Sequence, residues 1–369
     1  MSEASAGYEK KNLTRRKKKA VFRLALFLFI AAVTLASGIY SYKYVIEEHA
    51  KKKEAELPEI PEGKGIEFEV EKGSSTDAIA KKLAEQGLID KPLLFKLISK
   101  INGFDGMYRA GTHIVSKGLK YEELMRILCS EPETVKVFLQ EGLTAKEIAA
   151  ELAKLKLVDA QMFRRIMNSE KFAFKFLENI PQREYKLEGY LFPDTYKFDL
   201  KAGEKGIINT LLENFDRKFK PEFYKKAEEL KMTVDQVIIL ASIIEKEAQV
   251  PEDRTLISSV FHNRLNSKDK TLRRLQSCAT IKYIFLNKQG IEKKKITEKD
   301  TKVSDPYNTY EHEGLPPGPI CSPGLDSIIA ALNPEKTDYL YFVAKGDGTH
   351  HFSKTYKEHQ AAMKKYGVN

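Results

Sequence analysis

A shift of 69 residues lays one stretch of this 369-residue chain onto another without a gap. Phe68 falls on Val137, Val70 on Leu139, Gly73 on Gly142 and Ile79 on Ile148. Ala80 falls on Ala149, Leu83 on Leu152, Ala84 on Ala153, Leu88 on Leu157, Ile89 on Val158 and Asp90 on Asp159. Self-similarity at a fixed period constrains a fold strongly, because each copy must bury the same face. In Ile66, Glu67, Phe68, Glu69 and Val70 apolar and acidic side chains alternate, the period of a strand with one buried face. Gly73, a polar start and Ile79, Leu83 and Leu88 then describe a turn and a helical pattern. Residues 108–115 read as a returning strand and 121–128 as a helix. The expected unit is a small β-α-α-β module, present twice over residues 65–170.

Charge separates this region from what precedes it. The whole chain carries +10, but residues 1–23 hold eight basic and two acidic side chains, a net +6 that leaves +4 for the other 346 residues. A globally basic, nucleic-acid-coating protein is thereby disfavoured. Residues 24–42 contain no charge, and a helix of that length spans roughly 28 Å, close to the core of a bilayer. The basic cluster at 15–19 precedes this run, and basic flanks stay in the cytoplasm. A cleaved signal peptide is the alternative. The run is longer than a usual signal core and no clean Ala-x-Ala site follows it, so it reads as an uncleaved single-span anchor. Residues 1–23 are then a cytoplasmic basic tail, 24–42 a transmembrane helix, and 43–64, charged and holding Pro58 and Pro61, a stalk. The rest is expected outside the cytoplasm, held in the cytoplasmic membrane by one pass. The β-α-α-β pattern there resembles LysM-type glycan-binding modules, and a purely structural duplication fits it equally well.

Beyond the repeat, residues 207–219 and 221–230 read as helices. A third starts at Thr233, with Gln236 at capping-box spacing, and is expected to run to Val250 before Pro251 stops it. On its wheel Leu240 lies about 20° from Glu247, Ile243 about 40°, and Ile244 and Val250 about 60°, while Glu245 lies about 160° away. Glu247 therefore centres an apolar stripe. A carboxyl in apolar surroundings is costly to ionise, which raises its pKa and suits a general acid. A helix-end glutamate reaching solvent is the plainer reading of the same residue. Further on, 325–332 reads as a helix and 339–343 as a strand, with Gly346-Asp347-Gly348 as a tight turn.

Two segments, 187–196 (LEGYLFPDTY) and 305–320 (DPYNTYEHEGLPPGPI), mix aromatics, amides and hydroxyls with rigid Pro and Gly. They read as loops suited to a carbohydrate groove, where ring faces stack on sugars and polar groups bond hydroxyls. With no Trp in the chain, Tyr and Phe would do the stacking. Ordinary rigid turns would look the same.

With these motifs in hand the chain resembles a known family, the YceG-like endolytic murein transglycosylases (MltG). The resemblance covers nearly the whole chain. It rests on EGYLFPDTY (188–196), ASIIEKEA (241–248), RLQSCATIKY (274–283), YNTY with GLPPGPI (307–320) and YLYFVAKGDGTHHFS (339–353), in that order. It implies an α+β fold: a single N-terminal transmembrane helix, a LysM-like β-α-α-β region, and a mixed α/β catalytic domain over 171–369. It also implies a lyase that cuts peptidoglycan glycan strands internally, between N-acetylmuramic acid and N-acetylglucosamine, leaving 1,6-anhydromuramic ends and ending strand growth. The second glutamate of the family's E-K-E helix motif, its catalytic acid, matches Glu247. Expected substrate contacts are Glu188, Tyr190, Asp194, Thr195, Tyr196, Gln276, Tyr307, Asn308, Thr309, Tyr310 and His351. Expected partners are peptidoglycan strands and the membrane-bound synthases that make them, with no nucleic acid.

One motif departs from the family pattern: Cys278 and Ala279 stand where Asp-Pro can follow the Gln-Ser/Thr pair, so no aspartate role carries over. Outside the cytoplasm Cys278 and Cys321 could bridge and leave Cys129 single, or both could be unrelated buried thiols. No metal or cofactor is expected. His350 and His351 lack an HExxH or paired Cys/His context, and no phosphate-binding glycine loop would suit a pyridoxal-dependent lyase. Two rivals to the lead remain: a non-catalytic glycan-binding anchor, and a muramidase-type hydrolase using a second carboxylate such as Glu188 or Asp194.

Overall fold

The computed structural model describes residues 30, 33–38, 40, 41, 57–61 and 63–368. The basic tail at 1–23 lies outside the described residues, and the expected span at 24–42 and stalk at 43–64 lie mostly outside them. Among the described residues no helix is long and apolar enough to cross a membrane. The chain forms two compact units, Met1–Pro132 and Glu133–Asn369.

The first unit runs β1 (Ile66–Val70), α1 (Thr76–Glu85), α2 (Pro92–Ile101), β2 (Gly111–Val115) and α3 (Tyr121–Cys129). β1 and β2 pair antiparallel, with Ile66 opposite Val115 and Val70 opposite Gly111. Ser75 accepts the Ala78 N–H and starts α1, covering a donor that the first helical turn leaves free. Ile79, Ala80 and Leu83 then face a core with Phe68, Phe95, Leu124 and Leu128. The returning strand begins at Gly111 rather than at 108, because Tyr108 instead sends its hydroxyl to Ser99 of α2, at 2.7 Å.

The second unit begins with β3 (Thr134–Phe138), α4 (Ala145–Lys154) and α5 (Ala160–Ser169). α4 is α1 shifted by 69 residues, and the shifted positions share their burial: Leu83 and Leu152 are both fully buried, as Ile79 and Ile148 nearly are. Gly73 and Gly142 share positive φ, +82° and +79°. The second copy is nevertheless completed differently. β3 pairs antiparallel with β4 (Thr195–Asp199), Phe138 opposite Thr195, and the first two residues of β4 belong to the segment read as a loop. The apolar face of β3 joins the large core of the second unit, which runs from Glu133.

Next come α6 (Gly203–Lys218), α7 (Pro221–Glu229), α8 (Val234–Glu247), α9 (Asp253–Leu265), α10 (Cys278–Ile284), α11 (Leu325–Leu332), β5 (Tyr341–Ala344), β6 (His350–Ser353) and α12 (Tyr356–Tyr366). β5 and β6 form an antiparallel hairpin. α8 occupies the centre, packed by α7, α9, α10 and α11. Thr233 and Gln236 form the expected reciprocal cap. Every residue from 237 to 244 is buried, and all but Ser242 are apolar, so the helix is enclosed on every side, as a core helix is. An apolar stripe thus does not single out Glu247. The helix also stops three residues short of Val250. Ala248 takes extended dihedrals (φ −76°, ψ 122°), and Pro251 disfavours helix in the residue before it.

Candidate active site

Glu247 is the last residue of α8, and its side chain is half-buried. Both ends of this rod are fastened. At the start, Asp235 receives both guanidinium nitrogens of Arg183, at 2.9 and 3.0 Å, and the Tyr190 hydroxyl at 2.8 Å. At the end, the Ser277 hydroxyl donates to Oε1 of Glu247. Ser277 caps α10, its Oγ accepting the Ala279 N–H at 3.2 Å, so its own proton is left for the carboxylate.

Ser277 is itself held from behind. Its N–H donates to Thr309 Oγ1 at 3.0 Å, and the Gln276 N–H donates to the Thr309 carbonyl, also at 3.0 Å. Thr280 Oγ1 donates to the Ser277 carbonyl at 2.8 Å and lies 3.0 Å from Thr309 Oγ1. Asn308 stiffens the next turn: its amide donates to the Thr301 and Val303 carbonyls and its oxygen accepts the Tyr310 N–H. Gln276 sits in the left-handed region at φ +52°, and buried Arg264 donates to its side-chain oxygen at 2.8 Å. Two segments far apart in sequence are thus joined beside Glu247. Tyr310 and Cys278 complete the rim, hydroxyl and thiol 3.0 Å apart. Burial pushes both above their ordinary pKa, with Glu247 adding to each, so both keep their protons at neutral pH.

The expected substrate residues divide sharply. Gln276 and Tyr310 are accessible near Glu247, while Asn308 and Thr309 are buried and brace the wall. Tyr307 is half-buried with its ring 5.0 Å from Tyr283. Glu188 is fully buried, accepting the Ala145 N–H of α4 at 2.8 Å and the Tyr283 hydroxyl of α10 at 3.4 Å. Burial pushes its carboxyl up to about 8. Tyr190 is fully buried and offers no face to a sugar. Tyr196 donates to the Phe192 carbonyl at 2.6 Å and lies in the core, while Thr195 beside it is exposed on β4. Asp194 is engaged by Asn214, the Thr195 N–H and Lys218. Burial alone would raise Asp194, but these bonds outweigh it and lower its pKa. The His351 ring lies tilted against that of Tyr366, centroids 5.8 Å apart. Its neighbour His350 is buried against Asp253, Nδ1 to Oδ2 at 2.8 Å.

All three cysteines are free; Cys278 is exposed and Cys321 buried, so they form no bridge. Among the described residues no three His, Cys, Asp or Glu side chains converge as a metal would require. A cavity of about 730 Å³ lies at the opposite end of α8, beside Asp235 and Gln236. A smaller one of about 390 Å³, lined by Glu245, Lys246, Ala279 and Lys282, adjoins the end that carries Glu247. Ser277 and Arg264 were not among the expected site residues. A serine before a helical run marks Ser277 as a cap, but nothing local to it points to Glu247.

The model of the YceG-like family matches residues 68–365. This chain belongs to the YceG-like family. An endolytic murein transglycosylase of Bacillus subtilis (strain 168) is 33% identical over 317 residues, covering 82% of this chain and 84% of the relative. One from Streptococcus pneumoniae serotype 2 is 30% identical over 362 residues, covering 90% of this chain but 63% of the relative's own length. The 2.6 Å crystal structure of a YceG-like protein from Listeria monocytogenes superposes with a TM-score of 0.54 at 31% identity, covering 81% of this chain and 98% of that one.

Proposed function

We propose that this protein is a membrane-anchored endolytic lytic transglycosylase of peptidoglycan, with Glu247 as its acid and base. The observation that carries the reading is the accessible carboxyl at the end of a rigid, buried helix, held by Ser277, in a family whose curated relatives are named endolytic murein transglycosylases. Protonated Glu247 donates to the glycosidic oxygen between muramic acid and glucosamine while positive charge develops at C1. The muramic C6 hydroxyl then closes on C1, and Glu247 takes its proton. Because that nucleophile is tethered to the sugar, no second carboxylate is needed to activate water. The fate of the other carboxylates favours this over a hydrolase. Glu188 is sealed between α4 and α10, and the oxygens of Asp194 are engaged. The uncharged run at 24–42 serves as the anchor, with the remainder outside the cytoplasm. The first unit serves as a LysM-like glycan-holding module, and the membrane-bound synthases supply nascent strands.

The test is mass spectrometry of products from purified glycan strands. Anhydro-ended internal fragments are expected from the native protein, and none from Glu247→Gln. Reducing-end products carrying one added water would instead make it a hydrolase, undiminished release by Glu247→Gln would remove Glu247 from the chemistry, and no release by the native protein would leave a binding anchor.

A further inference from the structure

α2 turns an apolar face outward. Leu93, Leu94, Leu97 and Ile101 are 81%, 41%, 55% and 62% exposed. At 100° per residue these four fall within about 100° of arc, while Phe95 and Ser99 face the core from the other side. Lys96 and Lys100 border the arc.

The internal repeat supplies a control. α5 is α2 shifted by 68 residues, and its inward positions correspond: Phe95 to Phe163, Ser99 to Met167, all buried. The outward positions do not. Leu93, Leu97 and Ile101 correspond to Gln161, Arg165 and Ser169, all exposed, and only Leu94 finds an apolar counterpart, Met162. The module therefore folds without an apolar outer face, and α2 carries one for another purpose.

We propose that this face of α2 lies on the surface of the bilayer that anchors the chain, its leucines in the headgroup–acyl boundary and its lysines among anionic headgroups. The inference rests on the membrane-anchor reading above. Residues 43–65 join the uncharged run to β1, and even fully extended these 23 residues reach at most ~80 Å, so the first unit never leaves the membrane's vicinity. At such effective concentrations a weak contact is enough. Leucine and isoleucine flanked by lysine is the pattern of an interfacial helix. One ten-residue helix, about 15 Å long and about 10 Å wide, presents a face on the order of 150 Å², by contrast small beside the roughly 800 Å² per side of a stable protein interface.

The chain has no Trp, so Leu97→Trp places a single reporter on this face of the full-length protein. It is reconstituted into phosphatidylglycerol–phosphatidylethanolamine vesicles with and without brominated acyl chains. Lys81→Trp on α1, whose native side chain is 80% exposed, is the companion. The expected result is flotation of both variants with the vesicles, blue-shifted emission from Leu97→Trp, and its loss to lipid bromine, with Lys81→Trp unquenched. Flotation with water-like Leu97→Trp emission overturns the proposal and leaves the anchor standing. A blue shift that bromine does not quench means a protein surface or second copy covers the face, and also overturns it, as does equal quenching of both reporters. Failure to float removes the anchor reading and the proposal with it.

Discussion

Glu188 takes an ionisable group where water does not reach, and its titration should be visible in stability. Burial lifts its carboxyl to about 8, above the ordinary 4.5. Below the ordinary value folded and unfolded chains are both protonated; between the two values only the unfolded chain loses the proton, so stability falls as pH rises and levels off above about 8. Glu188→Gln keeps an oxygen for the Ala145 N–H and removes this loss. Urea midpoints at pH 5 and pH 8 should show the variant's advantage over the native protein growing with pH. Ser277 is tested through turnover. Ser277→Ala should lower kcat about tenfold, the worth of a hydrogen bond to a charged group, with KM little changed and Ser277→Thr largely restoring it. Lys156 holds φ +57° where its counterpart in the first copy is Gly87 at φ +65°. Lys156→Gly should therefore raise stability by up to ~1 kcal/mol in the same urea measurements. At this scale the sequence was ambiguous about polar residues among aromatics. Tyr190 and Glu188 carry chemistry that suits a sugar groove, and the same chemistry suits a buried network. Only the partners decide, Asp235 for one and Ala145 for the other.

The elements divide by whether their signal is local. α1 and α4 were legible because one periodic pattern occurs twice, with the same turn glycine before each. The start of α8 was legible from Thr233 and Gln236. Its environment was not: a helix buried on every side shows no stripe to read, and the wheel's choice of Glu247 matched a position that end-placement marks better. β4 went unseen because its partner, β3, precedes it by more than fifty residues and turn formers such as Pro193, Asp194 and Gly203 flank it. Gly189 shows how tightly this segment meets α8. It sits at φ +87°, and an added Cβ would lie 2.6 Å from Pro319 and 2.8 Å from Ile238. Gly189→Ala should cost more than ~2 kcal/mol, combining backbone strain with overpacking, and should lower the urea midpoint accordingly.

For the whole molecule, the duplicated pattern suggested one repeat region ending near 170, and the two compact units divide at Pro132. A shared pattern reveals common local structure, but it does not say which core a copy joins. Limited digestion with a glutamate-specific protease should therefore cut first at the junction holding Glu131 and Glu133, and mass spectrometry should find a stable C-terminal fragment starting there rather than near 171. The displaced partner of β3 also sets an order in time. As the chain emerges from its N-terminus, β1 meets β2 once residue 115 has appeared, and the first module can close alone. β3 must wait for residue 199, its edge open while α4 and α5 are already in place. Non-local pairing is slow, and a waiting edge invites wrong neighbours. The second copy is thus the stage at which a nascent chain is most exposed to misassembly, and the helix that bears Glu247 cannot be fully enclosed until that stage is past.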